Sequence, residues 1–337
     1  MSPPDFALDA PLRILVMRYR FIGDTILTVP FLRNLRRQCP QARIDALLAP
    51  GSAEALSACP YLDERLLYDT SRQRAYESPD NRPPQSFWHY VRLLKSRRYD
   101  VAFVLKRSFS SALLAALAGI PTRIGFDTEA RRWLLTRAVP YRRDRHEADC
   151  FLDALQAAGL SVDDGRLEAF VEDDARRAIA ARWASEGAED GPHALIHLTS
   201  SNAQKEWPLT LTQDVARWLI ETCGYRLHAC GSALDAPRYE RLREALAPSA
   251  RARLSNWCGQ TTLAQTLALI ERVEGVIGVD SGALHLGAAL QKPVVGLYTP
   301  MTHLEKWAPR VTPRALVTTP SQEEVQRACH ACLPSLR

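Results

Sequence analysis

Short apolar runs rich in β-branched residues alternate along this chain with stretches whose apolar positions recur at the spacing of a helix face. The first run, Leu12 to Met17, leads into Gly23-Asp24 and then a helical pattern through Ile26, Val29, Leu32 and Leu35, which predicts a strand, a turn and a helix. Further strands are predicted at Ile44 to Leu48, Leu66 to Tyr68 and Val101 to Leu105, with helices such as Phe87 to Leu94 and Ser110 to Ala118 between them. A polar, acidic stretch around Ser161 to Asp190 interrupts the rhythm, which then restarts. Strands follow at Ala194 to Leu198, Tyr225 to Cys230, Val273 to Val279 and Pro293 to Tyr298, and helices at Leu209 to Glu221, Tyr239 to Leu246, Thr261 to Ile270 and Leu284 to Leu290. Alternating strands and helices imply parallel βαβ units with right-handed crossovers. The pattern therefore predicts an α/β protein of two successive Rossmann-like halves, with ligands at the carboxyl ends of the strands in a cleft between them.

The expected boundaries are a first domain over 1–170, a second over 171–320 and a terminal helix over 321–337, with Ser321 as N-cap and Glu323 and Glu324 in its first turn. Between Asp69 and Gln85 a stretch rich in Arg, Pro, Asn and Ser has no periodicity and is expected to be a mobile lid or disordered.

A length of 337 residues suits about two domains, each with its own core. Hydrophobic residues at 46% and charged residues at 24% exclude a disordered chain, a collagen-like repeat and a membrane bundle. No window reaches the roughly 18 apolar residues of a spanning helix. The first ten residues carry Asp5 and Asp9 and lack a basic region followed by an apolar stretch, so no secretory signal is read there and a cytosolic protein is expected. The eight cysteines are scattered, as suits a reducing compartment. Cys329-His330-Ala331-Cys332 has the spacing of a redox or zinc pair, but no second pair stands at suitable spacing, and two ordinary thiols on a helix are the plain alternative.

Charge is uneven. Residues 1–160 hold 24 Lys and Arg against 17 Asp and Glu, and residues 161–337 hold 19 against 21. The basic excess gathers at Arg131, Arg132, Arg137, Arg142, Arg143 and Arg145, with Arg18, Arg20, Lys106 and Arg107 besides, which suits an anionic partner or a merely solvated face. No helix-turn-helix, zinc finger or aromatic RNA-binding motif accompanies these arginines, so a phosphorylated substrate or anionic lipid surface is expected rather than nucleic acid.

Three clusters carry candidate chemistry. In Gly278-Val279-Asp280-Ser281-Gly282-Ala283-Leu284-His285 a buried strand turns into a helix start, where free amides and the helix dipole suit a phosphate. Gly282 leaves room for close approach, Asp280 is better placed to accept sugar hydroxyls, and Ser281 either binds the ligand or simply caps the helix. Thr199 to Pro208, with Ser200, Ser201 and Lys205, again places hydroxyls and a cation after a strand, although Lys205 alone is equally an ordinary exposed lysine. Gly23-Asp24-Thr25 follows the first strand. Its glycine permits a tight turn and its carboxylate can take a proton from a hydroxyl, with a plain N-cap as the alternative. Neither Gly-x-Gly-x-x-Gly nor a P-loop occurs, which argues against a dinucleotide dehydrogenase and a P-loop NTPase.

In this order and spacing the clusters resemble the heptosyltransferases of glycosyltransferase family 9, which extend the inner core of bacterial lipopolysaccharide from ADP-heptose. The resemblance is carried by the run Arg13 to Arg36 around Phe21-Ile-Gly-Asp24, by Gly119-Ile-Pro-Thr-Arg-Ile-Gly-Phe126, by Lys205-Glu-Trp-Pro208, and by Val279-Asp-Ser-Gly-Ala-Leu-His285 on to Tyr298, and it spans roughly the whole chain. It implies a GT-B architecture: an N-terminal acceptor domain, a C-terminal nucleotide-sugar domain, and a final helix returning toward the first. It implies further that Asp24 is the base that deprotonates the acceptor hydroxyl, with inversion at the anomeric carbon and oxocarbenium character in the transition state. Lys205 and the amides at Ser281 to Leu284 would stabilise the departing diphosphate. Ser200 and Ser201 would meet the phosphates, Asp280 the heptose hydroxyls, with Gly282, Ala283 and His285 in the same donor site. Gly23, Arg18, Arg107, Arg131 and Arg132 would face the acceptor and pair with its carboxylates or phosphates. No Asp-x-Asp motif is present, so no metal and no cofactor beyond the co-substrate ADP-heptose is expected.

Two segments depart from the family pattern. Gly231-Ser232-Ala233-Leu234-Asp235 lacks an acidic residue directly after Gly-Ala, and Thr299-Pro300-Met301 stands where members often have Gly-Pro-Thr. The reading this supports is an inverting heptosyltransferase acting on an anionic lipopolysaccharide core acceptor, cytoplasmic, with peripheral contact to the inner face of the membrane. The alternatives are a family member with another nucleotide sugar and another glycan or protein acceptor, and a nucleotide-sugar-binding protein without catalysis.

Overall fold

A computed structural model describes residues 6, 10–71, 83–186, 191–200, 202–300, 302–319 and 321–336. Most of the predicted lid, residues 72–82, lies outside the described residues, as does Ser201. The chain forms two compact units, 1–166 and 167–337, so the second begins a few residues before the expected boundary at 171 and includes the terminal helix.

The first unit is built on six parallel strands: β1 (Arg13–Met17), β2 (Arg43–Leu48), β3 (Glu64–Leu67), β4 (Val101–Val104), β5 (Thr122–Phe126) and β6 (Arg137–Val139). Their spatial order is β3-β2-β1-β4-β5-β6. In β1 and β4 nearly every side chain is buried, as expected where helices cover both faces of a parallel sheet. Helix Val29–Gln38 carries Pro30 in its first turn, where a missing N–H costs nothing, and buries Phe31, Leu32 and Leu35. The same helix buries Arg33 and Asn34, whose polar groups are satisfied by loop backbone: Arg33 donates to the carbonyls of Asp164 and Arg166, and Asn34 to Asp164. Gln38 donates to the Ser161 carbonyl and accepts from its N–H. These bonds fasten residues 161–166 to the first unit.

The second unit repeats the plan with β7 (His193–His197), β8 (Arg226–Ala229), β9 (Leu254–Asn256), β10 (Gly275–Val279), β11 (Val294–Leu297) and β12 (Arg314–Val317), all parallel, in the order β12-β11-β10-β7-β8-β9. Counted from its first strand this is the same order as in the first unit. β10 aligns Gly278 with His197, and a Cβ at Gly278 would stand 2.6 Å from the His197 carbonyl oxygen, so only glycine allows this approach. The acidic stretch around Ser161 to Asp190 contains a helix, Asp173–Ser185, which buries Ala175, Ile179 and Trp183 on one face.

The terminal helix Gln322–Cys332 begins as predicted, the Ser321 hydroxyl accepting from the Glu324 N–H at 3.2 Å. It packs on β11, β12 and helix Leu209–Arg217. Cys329 and Cys332 lie buried in the second unit's core beside Val325 and Leu333. Among the described residues no helix is long and apolar enough to cross a membrane.

Candidate active site

A sheet of this order has one topological switch point, where the connections from two adjacent strands leave in opposite directions and open a crevice at the strands' carboxyl ends. In the first unit it lies between β1 and β4, and in the second between β7 and β10. Each of the three predicted clusters falls at one of these points.

At the first switch point the chain leaves β1 through Arg18-Tyr19-Arg20-Phe21 into the helical turn Ile22–Ile26. Gly23, expected to supply the tight turn, lies buried inside this helical turn. The positive φ falls instead on Phe21, at φ 55° and ψ 135°, a strained conformation for a non-glycine residue, and its ring is 48% exposed. Asp24 sits in the first turn, almost fully buried, with its Oδ2 2.6 Å from Nη2 of the equally buried Arg18. The other oxygen, Oδ1, is buried and has no hydrogen-bond partner among the described residues. A carboxylate held on one side by a guanidinium keeps its orientation, and the open oxygen can take a proton.

Arg18 meets Asp24 through Nη2, and its Nε is buried without a hydrogen-bond partner among the described residues. One acceptor assignment is corrected. Arg131 is fully buried, its guanidinium donating to the carbonyls of Phe126, Lys106, Ser108 and Val104 and to the Ser111 hydroxyl; it ties together the loops after β4 and β5 and has no donor to offer a ligand. Arg132 is exposed, and Arg107 is half-exposed, lying 4.3 Å over the Tyr141 ring and 3.9 Å from Glu147. Lys106, unassigned by sequence reasoning, stands at the end of β4 with its N–H on the Met17 carbonyl of β1. Burial and the neighbouring Arg18 and Arg20 push its ammonium down to about 7.

At the second switch point Lys205 and Asp280 meet, Nζ to Oδ2 at 2.7 Å, and the Thr302 hydroxyl donates to the same oxygen at 2.8 Å. Asn202 caps the short 3-10 turn Ala203–Lys205 by accepting from the Gln204 N–H, which aims Lys205. Glu206 accepts from the Ser200 N–H at 2.8 Å and pairs with Arg238 at 3.1 Å. Arg238 in turn donates to the Trp207 carbonyl, and the Trp207 indole donates to the Tyr298 carbonyl at 3.2 Å. Sequence reasoning assigned no role to Glu206, Arg238 or Thr302; Glu206 was legible only as the second residue of a motif.

Asp280 ends β10 and is nearly buried, and the Tyr298 phenol near it is pushed up by burial and, to a lesser degree, by the Asp280 charge. Ser281 occupies the N-cap position of helix Gly282–Ala289 without capping it: its side chain makes no cap hydrogen bond, and its hydroxyl is buried without a partner among the described residues. The plain capping role is therefore not the one it plays. The first-turn amides, the open hydroxyl and Lys205 together make a site for an oxyanion. Gly282 and Ala283 open the helix and His285 is buried one turn in. Among the described residues no group of three or more His, Cys, Asp or Glu side chains is arranged to hold a metal.

Two parallel sheets of this order, each with its polar cluster at the switch point, are those of a glycosyltransferase of GT-B architecture. The pattern of glycosyltransferase family 9 (heptosyltransferase) matches residues 87–332, and the chain belongs to that family. It is 28% identical over 297 residues to lipopolysaccharide heptosyltransferase 2 of Escherichia coli K12, covering 86% of this chain and 83% of that protein. It is 26% identical over 317 residues to lipooligosaccharide heptosyltransferase 2 of Haemophilus influenzae, covering 91% and 88%. Among solved structures, E. coli ADP-heptose LPS heptosyltransferase II superposes with a TM-score of 0.78 at 24% identity, covering 95% of this chain and 97% of that one. A family 9 glycosyltransferase of Veillonella parvula superposes at 0.84 with 20% identity, covering 96% and 97%.

Proposed function

We propose that this enzyme is an inverting heptosyltransferase that moves a heptose from ADP-L-glycero-D-manno-heptose to an inner-core lipopolysaccharide acceptor, with Asp24 as general base. The observation that carries this reading is the buried Arg18–Asp24 pair with Oδ1 left open at the first switch point. The acceptor hydroxyl gives its proton to Oδ1 as its oxygen attacks the anomeric carbon, and the bond from that carbon to the diphosphate breaks. Arg18 on Oδ2 holds the carboxylate oriented before the transfer. Lys205, the Ser281 hydroxyl and the amides of Ser281 to Leu284 receive the charge that grows on the leaving diphosphate. Asp280 accepts heptose hydroxyls, Ser200 and Ser201 meet the phosphates, and Arg18, Arg107 and Arg132 remain the arginines available to an anionic acceptor. The names of the Escherichia coli and Haemophilus influenzae relatives support the heptose and the lipopolysaccharide acceptor. An enzyme that elongates such an acceptor acts in the cytoplasm, in peripheral contact with the inner membrane face.

A second reading, a family 9 enzyme with another nucleotide, is favoured by one observation. After β8 the Asp235 carboxylate accepts from both the N–H and the hydroxyl of Ser232 at 2.7 Å, so the acidic group nearest the expected ribose position is engaged within its own turn. Thermal-shift and calorimetric titration with ADP, UDP and GDP, followed by transfer from ADP-heptose, separates the readings. Selective stabilisation by ADP with heptose transfer is expected. Preference for UDP or GDP selects the second reading, and no nucleotide binding at all overturns both.

A further inference from the structure

Arg18, Arg20 and Arg107 crowd Lys106 at the first switch point, with Asp24 among them. Arg18 pairs with Asp24 at 2.6 Å, Arg20 lies 4.7 Å from the Phe21 ring, and Arg107 is shared between Tyr141 and Glu147. Lys106 stands at the end of β4, beside β1, where the chain order opens the crevice. It is half-buried, and among the described residues its ammonium has no carboxylate partner. The charged groups that face it are Arg18 and Arg20 from the segment after β1, Asp24 from the helical turn Ile22–Ile26, and Arg107 beside it, with Glu147 reached through Arg107. Beneath it Arg131 binds the Lys106 carbonyl, which fixes the backbone.

We propose that Lys106 receives an oxyanion of the acceptor, a phosphate or a carboxylate, next to Asp24. That the anion belongs to a sugar acceptor rests on the function proposed above; the anion site itself does not. A bound anion favours the ammonium over the neutral amine, so binding draws a proton from solvent onto Lys106. With the free lysine titrating at about 7, an anion that needs the ammonium binds about fivefold more weakly at pH 8 than at pH 7, and the loss approaches tenfold per further unit. An arginine at this position stays charged throughout and carries no such dependence.

Lysine side-chain ¹³C NMR tests this, because the chain has only five lysines and Lys106→Gln assigns the resonance. Sulfate and acetate serve as probes, since neither titrates between pH 6 and 9. The expected result is a Lys106 midpoint near 7 that rises when an anion is added, and, in Lys106→Arg, anion binding that persists without the pH dependence. A rise with sulfate alone assigns a phosphate, and a rise with acetate as well admits a carboxylate. A midpoint that neither anion moves, or an unchanged pH dependence in Lys106→Arg, overturns the proposal. In turnover assays the acceptor KM should rise from pH 7 to 9 in the native enzyme and stay flat in Lys106→Arg. An anion response at Lys106 in a protein that binds no nucleotide would leave this site standing and remove the proposed function instead.

Discussion

Arg18 and Asp24 act as a pair, in which the guanidinium fixes a carboxylate that would otherwise be costly to bury and the carboxylate keeps one oxygen for chemistry. Asp24→Asn preserves shape while removing the proton acceptor, and turnover should fall by about 10²-fold or more with ADP affinity unchanged, as steady-state kinetics and calorimetry would read. Turnover near the native rate would remove Asp24 from the role of base. Lys205→Ala should lower donor affinity and turnover together, because the same ammonium meets the diphosphate before and during transfer. Asp24, Lys205, Asp280 and Ser281 were legible in the sequence because each follows a strand closely enough for its place at a carboxyl end to be read directly. The pairing of Arg18 with Asp24 and of Arg131 with a ring of backbone carbonyls was not legible, because a charge in a sequence does not reveal its partner. Lys106 was visible only as one cation among many until β4 was seen to lie beside β1.

Among the elements, the central strands were the legible ones: β1, β4, β7 and β10 are buried on both faces and read as unbroken apolar runs. Strands β5, β6, β9 and β12 carry Arg, Ser or Asn, so they lack that signal, and helix Asp173–Ser185 hides three buried positions among ten polar or small ones. Where β10 meets β7 the fold depends on one missing side chain. In Gly278→Ala the new Cβ meets a backbone oxygen at 2.6 Å, which no rotamer change relieves, so the strands must separate. Urea unfolding should show a loss of about 1–3 kcal/mol, and donor affinity should fall with it because Asp280 lies two residues on. Unchanged stability would mean that the sheet gives way at little cost.

Over the whole molecule, acid should weaken the second unit before its carboxylates titrate. His193, the first residue of β7, and His228, inside β8, lie 2.9 Å apart, Nδ1 to Nε2, with Trp183 stacked on His228 at 4.4 Å. Burial, and then the neighbouring His193, pushes the His228 imidazole down to about 3, and burial lowers His193 and His197 as well. The unfolded chain takes up a proton at its ordinary value of 6.5 and the folded one does not until about 3, so stability present above pH 6.5 is lost as the pH falls. From His228 the loss comes to about 2 kcal/mol at pH 5. Denaturant melts at pH 7 and pH 5 should show that loss and its reduction in His228→Phe; an equal loss in the variant would place the acid sensitivity elsewhere.

The repeated strand order has one more consequence. Every strand of each sheet is supplied by its own unit, so each half of the gene encodes a complete crevice. Mutations before residue 166 and mutations after it therefore act on different crevices, and either crevice can change while the other is inherited intact. In such a chain the boundary near residue 166 is a natural seam for recombination, where halves from diverged relatives can be joined without cutting either crevice.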